Sequence, residues 1–146
     1  MTDLYFVDTN VLVYARDSSE PLKQKVAADW LGVLWTQGVG RLSYQVLQEY
    51  YQAVTRRLTP GMSPESASAD IRDLISWQPI QIDSAVLEMA WDIESRYRLS
   101  WWDALIVGAA NRSASQYLLS EDLQHGQTLG HVTVLNPFET EMPSSV

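Results

Sequence analysis

The chain has 146 residues, a formal net charge of −8, 46% hydrophobic residues and no cysteine. The length suits one domain with a real core, and the composition excludes wholesale disorder, disulfides, thiolate metal sites and a cysteine nucleophile. The acidic balance excludes a protein that coats nucleic acid through bulk charge, but not an enzyme that touches nucleic acid locally and uses carboxylates to hold a metal.

No apolar run approaches the ~18 residues of a membrane span. The opening MTDLYFVDTN carries no basic region ahead of an apolar stretch, so neither a membrane association nor a secretory signal is expected, and a cytoplasmic location is the simplest reading. Residues 4–7, Leu-Tyr-Phe-Val, form a continuous apolar run, the pattern of a strand buried on both faces in a parallel sheet. It ends at Asp8-Thr9-Asn10, after which residues 11–14 read as a short helix with Thr9 or Asn10 near its cap. Residues 22–36 carry a helical stripe through Val26, Trp30 and Val33. Residues 41–43 read as a very short strand. A helix over residues 43–58 turns Val46, Leu47, Tyr50 and Val54 inward, and Thr59-Pro60-Gly61 breaks it. Ser63-Pro64 is a cap followed by proline at the first helical position, and Ala67, Ile71, Leu74 and Ile75 supply the next stripe.

Residues 80–82 alternate as a short strand. Asp83 or Ser84 caps a helix in which Val86, Ala90, Ile93 and Tyr97 recur at helical spacing. Ser100 opens a further helix that is apolar nearly all round from Ala104 to Ala110, which makes it central. Residues 117–119 and 132–135 read as two more strands. A single domain over residues 1–138 is expected, with residues 139–146 as a flexible tail. Strands alternating with helices indicate an α/β fold with a mainly parallel sheet. In such sheets ligands bind beyond the carboxyl ends of the strands.

That rule directs attention to four acids. Asp8 directly follows the first strand, and Asp122 follows the strand at 117–119. Asp103 stands at the start of the apolar helix, and Glu49 lies within the helix over 43–58. If they converge on one sheet edge with no lysine nearby, their mutual repulsion would be relieved by a hard divalent cation, Mg²⁺ or Mn²⁺, which prefers oxygen ligands. Each acid also has an ordinary alternative. Asp8 is a favoured helix cap, and Ser100-x-x-Asp103 has the spacing of a capping box. Glu49 lies on the flank of its stripe as a solvated residue would, and Asp122 fits an ordinary loop.

His125 and His131 lie in a glycine-bearing loop and are poor candidates for metal ligands. The six tryptophans fall mostly on apolar stripes. Trp101 and Trp102 are adjacent and do not share one helix face, which leaves one open to solvent. Among the basic residues, Arg56-Arg57 and Arg96/Arg98 are the local pairs that would hold a phosphate backbone if they bordered the acidic cleft.

The segments that carry these acids resemble a known family. Phe6-Val7-Asp8-Thr9-Asn10-Val11-Leu12-Val13-Tyr14 is similar to the opening of a PIN domain, the nuclease fold of VapC-type toxins. The family's second acid is matched by Glu49 in SYQVLQEYY, its third by Asp103 in SWWDALI, and its last by Asp122 in LLSEDL, where Ser120 replaces the usual threonine and keeps the hydroxyl. The resemblance spans about residues 4–135. It implies a three-layer α/β/α fold around a five-stranded, mainly parallel sheet, and a ribonuclease that cleaves phosphodiester bonds. Asp8, Glu49, Asp103 and Asp122 would hold one or two Mg²⁺ or Mn²⁺ ions, with Thr9, Asn10 and Ser120 positioning carboxylates or water. It further implies an RNA substrate, a small antitoxin partner and a homodimer.

Rival readings differ at particular residues. A haloacid-dehalogenase-like phosphatase needs Asp-x-Asp after its first strand, where this chain has Asn10. A receiver domain needs a late lysine, and the two lysines are Lys23 and Lys25. Neither a P-loop pattern nor a Gly-x-Ser-x-Gly elbow occurs. A nonenzymatic RNA-binding or protein-interaction module on the same scaffold would gain nothing from clustered acids.

Overall fold

The computed structural model describes residues 2–142. Its centre is a five-stranded sheet in the order β2-β1-β3-β5-β4. β1 (Tyr5–Val7) pairs in parallel with β2 (Gly40–Arg41) on one side and with β3 (Tyr117–Leu119) on the other. β3 pairs in parallel with β5 (Val132–Leu135), and β4 (Thr128–Leu129) is antiparallel to β5 at the edge. Six helices complete the α/β/α arrangement: α1 (Thr9–Tyr14), α2 (Pro21–Gln37), α3 (Tyr44–Arg56), α4 (Pro64–Leu74), α5 (Ser84–Tyr97) and α6 (Trp101–Arg112). None of them is long and apolar enough to cross a membrane.

Sequence and structure agree where a pattern is strong. Phe6 and Val7 are fully buried on β1, as expected for a strand covered on both faces in a parallel sheet. Every residue from Ala104 to Ala110 on α6 is buried, with α5 packed along one side and β3 and β5 along another. Gly108 permits that packing: a Cβ there would stand 3.2 Å from the Ala90 backbone nitrogen of α5. Ser63, Asp83 and Ser100 cap their helices as expected, and Ser43 caps α3, each accepting a backbone N–H from the first turn.

Differences arise where few residues carry the signal. Residues 80–82 do not form a strand. Ile80 makes a single bridge to Ser43, donating its N–H to Leu42 and accepting from Tyr44. Pro79 supplies no donor on one side, and the α5 cap at Asp83 turns the chain away on the other. β2 lies one residue earlier than expected. α1 begins at Thr9 with Asp8 as its cap, rather than Thr9 or Asn10. On α2 the buried line runs through Ala27, Trp30 and Leu34, leaving Val26 and Val33 partly covered. β4 has only two residues and no periodicity to reveal it. It closes a hairpin on β5 through Gly130, whose φ of +67° favours glycine. Of the expected tail, residues 143–146 lie outside the described residues. Residues 137–142 line a shallow cleft with Val26 and Trp30 of α2.

Gly40 tests the packing of the sheet edge. A Cβ there would lie 2.5 Å from the ring of buried Trp77. Gly40→Ala is expected to destabilise the fold by about 1–3 kcal/mol, the scale of overpacking. The measure is the urea midpoint, and an unchanged midpoint would show that the Trp77 pocket yields freely.

Candidate acidic active site

The site begins where β1 and β3 end side by side. The Asp8 N–H donates to the Leu119 carbonyl at 3.0 Å, so the first residue beyond β1 is fixed against the end of β3. Asp8 also caps α1, its Oδ1 accepting the Thr9 N–H at 2.7 Å. Its Oδ2 accepts from the Ser120 hydroxyl at 2.8 Å and from Asn10 Nδ2 at 3.3 Å. Asn10 reaches onward to Asp122 Oδ2 at 3.2 Å, and its Oδ1 accepts the Glu121 N–H at 3.1 Å. The Asp122 N–H in turn donates to Ser120 Oγ at 3.2 Å. Capping and clustering, alternatives in the sequence, are both true of Asp8.

The other two acids arrive on helices. Thr9 Oγ1 donates to Glu49 Oε1 at 2.7 Å. Gln45, one turn earlier on α3, donates its Nε2 to Glu49 Oε2 at 3.3 Å and to the Trp102 carbonyl at 3.4 Å. Both partners are acceptors, which fixes the orientation of the amide. Ser100 Oγ accepts the Asp103 N–H at 3.3 Å. Among the described residues no bond returns from the Asp103 carboxylate to the Ser100 N–H, so the capping box is only half made and that carboxylate faces the cleft.

All four acids line one cavity of about 630 Å³, together with Thr9, Asn10, Glu121, Asp17 and Arg57. Ser120 is buried beneath it. Burial pushes the Asp8 carboxyl up to about 7 from its ordinary 3.8; the bonds from Ser120 and Thr9 oppose that rise, and the charges of Asp122 and Glu49 add to it. Burial also raises Asp103, against the Ser100 hydroxyl, with Asp122 and Glu49 again contributing.

Two expectations need correction in detail. A lysine does border the acids: Lys23 Nζ pairs with Glu121 Oε2 at 2.5 Å, while Tyr14 donates to Glu121 Oε1 at 2.8 Å. Of the four arginines singled out, only Arg57 lines the cleft. Arg56 bonds Gln52, and Arg96 pairs with Asp92 on its own helix. Neither histidine lines the cleft; His125 instead accepts the Asn136 N–H through Nδ1. Glu121 and Gln45 were not among the acids and helpers chosen from sequence, whereas Arg57 was. Glu121 was accessible to the strand-end rule, since it sits between Ser120 and Asp122. Gln45 was not, because its role depends on the approach of α6.

Among the described residues no three His, Cys, Asp or Glu side chains come close enough to hold an ion by themselves. The donor set is nevertheless all oxygen, and it includes an acid whose carboxyl is pushed up to about 7, chiefly by burial. Mg²⁺ commonly keeps several waters and uses one or two carboxylates. The residues fit such an ion with water completing its shell.

The model of the PIN domain family matches residues 5–128, and the chain belongs to that family. No curated protein matches. Among solved structures, FitAB bound to an IR36 DNA fragment is similar over 95% of this chain and 99% of the other, with 21% identity and a TM-score of 0.69. A toxin–antitoxin complex from Klebsiella pneumoniae is similar over 93% and 99%, with 16% identity and a TM-score of 0.65. Mycobacterium tuberculosis VapC20, a sarcin–ricin loop cleaving toxin, is similar over 81% and 91%, with 22% identity and a TM-score of 0.62. At these identities the likeness is one of fold.

The raised Asp8 carboxyl has a defined consequence in metal-free protein. The folded state binds a proton more tightly than the unfolded state, so this group's contribution to stability is fully present below about 4 and is lost as pH rises through about 7. Asp8→Asn is therefore expected to gain stability relative to the parent across that window and to hold a constant advantage above it. Urea unfolding in EDTA at a series of pH values measures the difference; a gap that does not change with pH would refute it.

Asp103 separates a capping role from a place among repelling acids. Its carboxylate makes no cap bond, and like charges face it, so metal-free Asp103→Asn should be as stable as the parent or up to about 1 kcal/mol more stable, solvent screening limiting the gain. A loss of about 1 kcal/mol in denaturant unfolding, the scale of a helix cap, would restore the capping reading.

Proposed function

We propose that this protein is a metal-dependent endoribonuclease that hydrolyses RNA phosphodiester bonds at the Asp8–Glu49–Asp103–Asp122 cleft. The observation that carries the reading is the meeting of four carboxylates, from four separate segments of a PIN-family chain, in a single cavity. Asp8, Glu49, Asp103 and Asp122 would hold Mg²⁺ or Mn²⁺, directly or through water. The bound ion supplies a water of lowered pKa and Lewis acidity toward the phosphoryl oxygens. Asn10 and Ser120 hold Asp8 and Asp122 in place, and Thr9 and Gln45 hold Glu49. Arg57, which forms no ion pair among the described residues, borders the same cavity and offers its guanidinium to a phosphate of the RNA.

We further assign the chain to the toxin side of a toxin–antitoxin pair, acting in the cytoplasm, with a small antitoxin as partner and a homodimer as its assembly. The support is the likeness of fold to VapC20 and to toxin–antitoxin complexes. A short neighbouring reading frame for a DNA-binding protein would be the corresponding genetic sign.

The test joins binding to activity. Millimolar Mn²⁺ or Mg²⁺ should raise the melting temperature, because a ligand that binds only the folded state stabilises it by mass action. EDTA should abolish cleavage of single-stranded RNA, and Asp8→Asn should lose the thermal shift and the cleavage together. Full activity in EDTA with no thermal response to metal would overturn the proposal.

A further inference from the structure

The two adjacent tryptophans at the start of α6 have opposite fates. Trp101 stacks on Trp91, with centroids 6.3 Å apart and planes within 24°. Trp102 is 64% exposed, and no aromatic ring or cation covers it among the described residues. Trp35 and Trp91 are exposed too, but of the three only Trp102 borders the acidic cavity. Its position gives it a use. Trp102 lines the acidic cavity and also a neighbouring slot of about 460 Å³, whose other walls are Gln45, Gln48, Glu49, Ile82 and Leu105. The slot therefore opens directly off the carboxylates and shares Glu49, Gln48 and Trp102 with them.

We propose that this slot is a nucleobase subsite, in which an unpaired base next to the scissile phosphate stacks on the Trp102 indole. Three features match a base. The face offered is a flat π surface, which every base can stack on irrespective of sequence. Ile82 and Leu105 add apolar wall beside the ring. Gln45 and Gln48 add polar wall, so the slot has the mixed lining that suits a base, apolar on its faces and polar at its edges. The backbone that carries the indole is held in place: Ser100 caps the helix, and Gln45 bonds the Trp102 carbonyl. Arg57 lies on the same cavity as Trp102, so a strand crossing the acids would meet a cation for its phosphate and a ring for its base. A duplex keeps its bases stacked internally, so the subsite selects single-stranded or looped RNA.

The inference rests on the nuclease reading, and probes without a scissile phosphodiester separate the two. Nucleoside 5′-monophosphates and ribose 5-phosphate share the phosphate and the sugar and differ only in the base. In Mn²⁺-free Mg²⁺ buffer, the nucleotides should shift the Trp102 indole N–H resonance and saturate, and ribose 5-phosphate should not. Trp102→Ala should weaken nucleotide binding roughly ten-fold or more, the scale of one base–aromatic stack, down to the level of ribose 5-phosphate. Trp102→Phe should restore most of it. In cleavage of single-stranded RNA, Trp102→Ala should raise KM with a smaller change in kcat. Base-dependent binding at Trp102 by a protein that cleaves no RNA would sustain the subsite and overturn the nuclease reading. RNA cleavage with equal responses to nucleotide and ribose 5-phosphate would overturn the subsite alone. So would burial of Trp102 that depends on protein concentration and ignores nucleotide, which would mark the face as a contact between copies.

Discussion

The burial of the Asp8 carboxyl is the constraint on which the site depends. A carboxylate placed at the end of the central strand must find donors or give up its charge. It finds Thr9 N–H, Ser120 Oγ and Asn10 Nδ2. Those donors come from the first turn of α1 and from the residue just past β3. Their satisfaction therefore requires that β1 and β3 run side by side in parallel and end together. The register Val7 opposite Leu119 meets that requirement, and the Asp8 N–H bond to Leu119 continues it by one residue. Even so, the donors do not hold the carboxyl at its ordinary acidity, because burial outweighs them, with the charges of Asp122 and Glu49 adding to the rise. The fold keeps a tension at this point that a cation would relieve.

The remaining acids are brought in by helix packing. Glu49 is reached from the sheet by Thr9 and from its own helix by Gln45. Gln45 also grips the carbonyl of Trp102, so one amide ties α3 to the start of α6. The position of Asp103 follows from how α6 is seated. Its apolar length lies buried against α5, β3 and β5, with Gly108 allowing the close approach to Ala90. A hydrophobic requirement along the helix thus sets where a charged residue at its tip will stand.

A second polar cluster guards the rim. Lys23 lies 4.9 Å from the centroid of the Tyr14 ring and 5.4 Å from that of Phe138, while pairing with Glu121. Tyr14 donates to the same carboxylate. Glu121 is in this way neutralised and drawn toward α2, although it directly precedes Asp122. The cleft therefore presents fewer free negative charges than its count of acids implies. For a chain of net charge −8, any attraction of a polyanion must come from local groups such as Arg57.

The sequence by itself determined the α/β class, most element positions and the four acids, because each rests on local chemistry. Strands with continuous apolar runs, helices with a stripe and a capping residue, and acids at strand ends can be read without knowing what lies across the sheet. The match of Asp8, Glu49, Asp103 and Asp122 to the PIN pattern added their meeting place as an implication; it is the packing that puts them around one cavity. The two-residue β4 and the fate of the 80–82 segment were beyond reach. β4 exists only because β5 lies beside it, and the 80–82 segment stops at one bridge because Pro79 and the cap at Asp83 leave it no room. Only the tertiary structure decided the functions of side chains whose partners are distant in the chain. Ser100 proved to cap α6 without the Asp103 carboxylate, Lys23 proved to reach Glu121 nearly a hundred residues away, and Trp102 rather than Trp101 was left facing the cleft. Such pairings are set by the approach of whole elements, and no local pattern of residues encodes that approach.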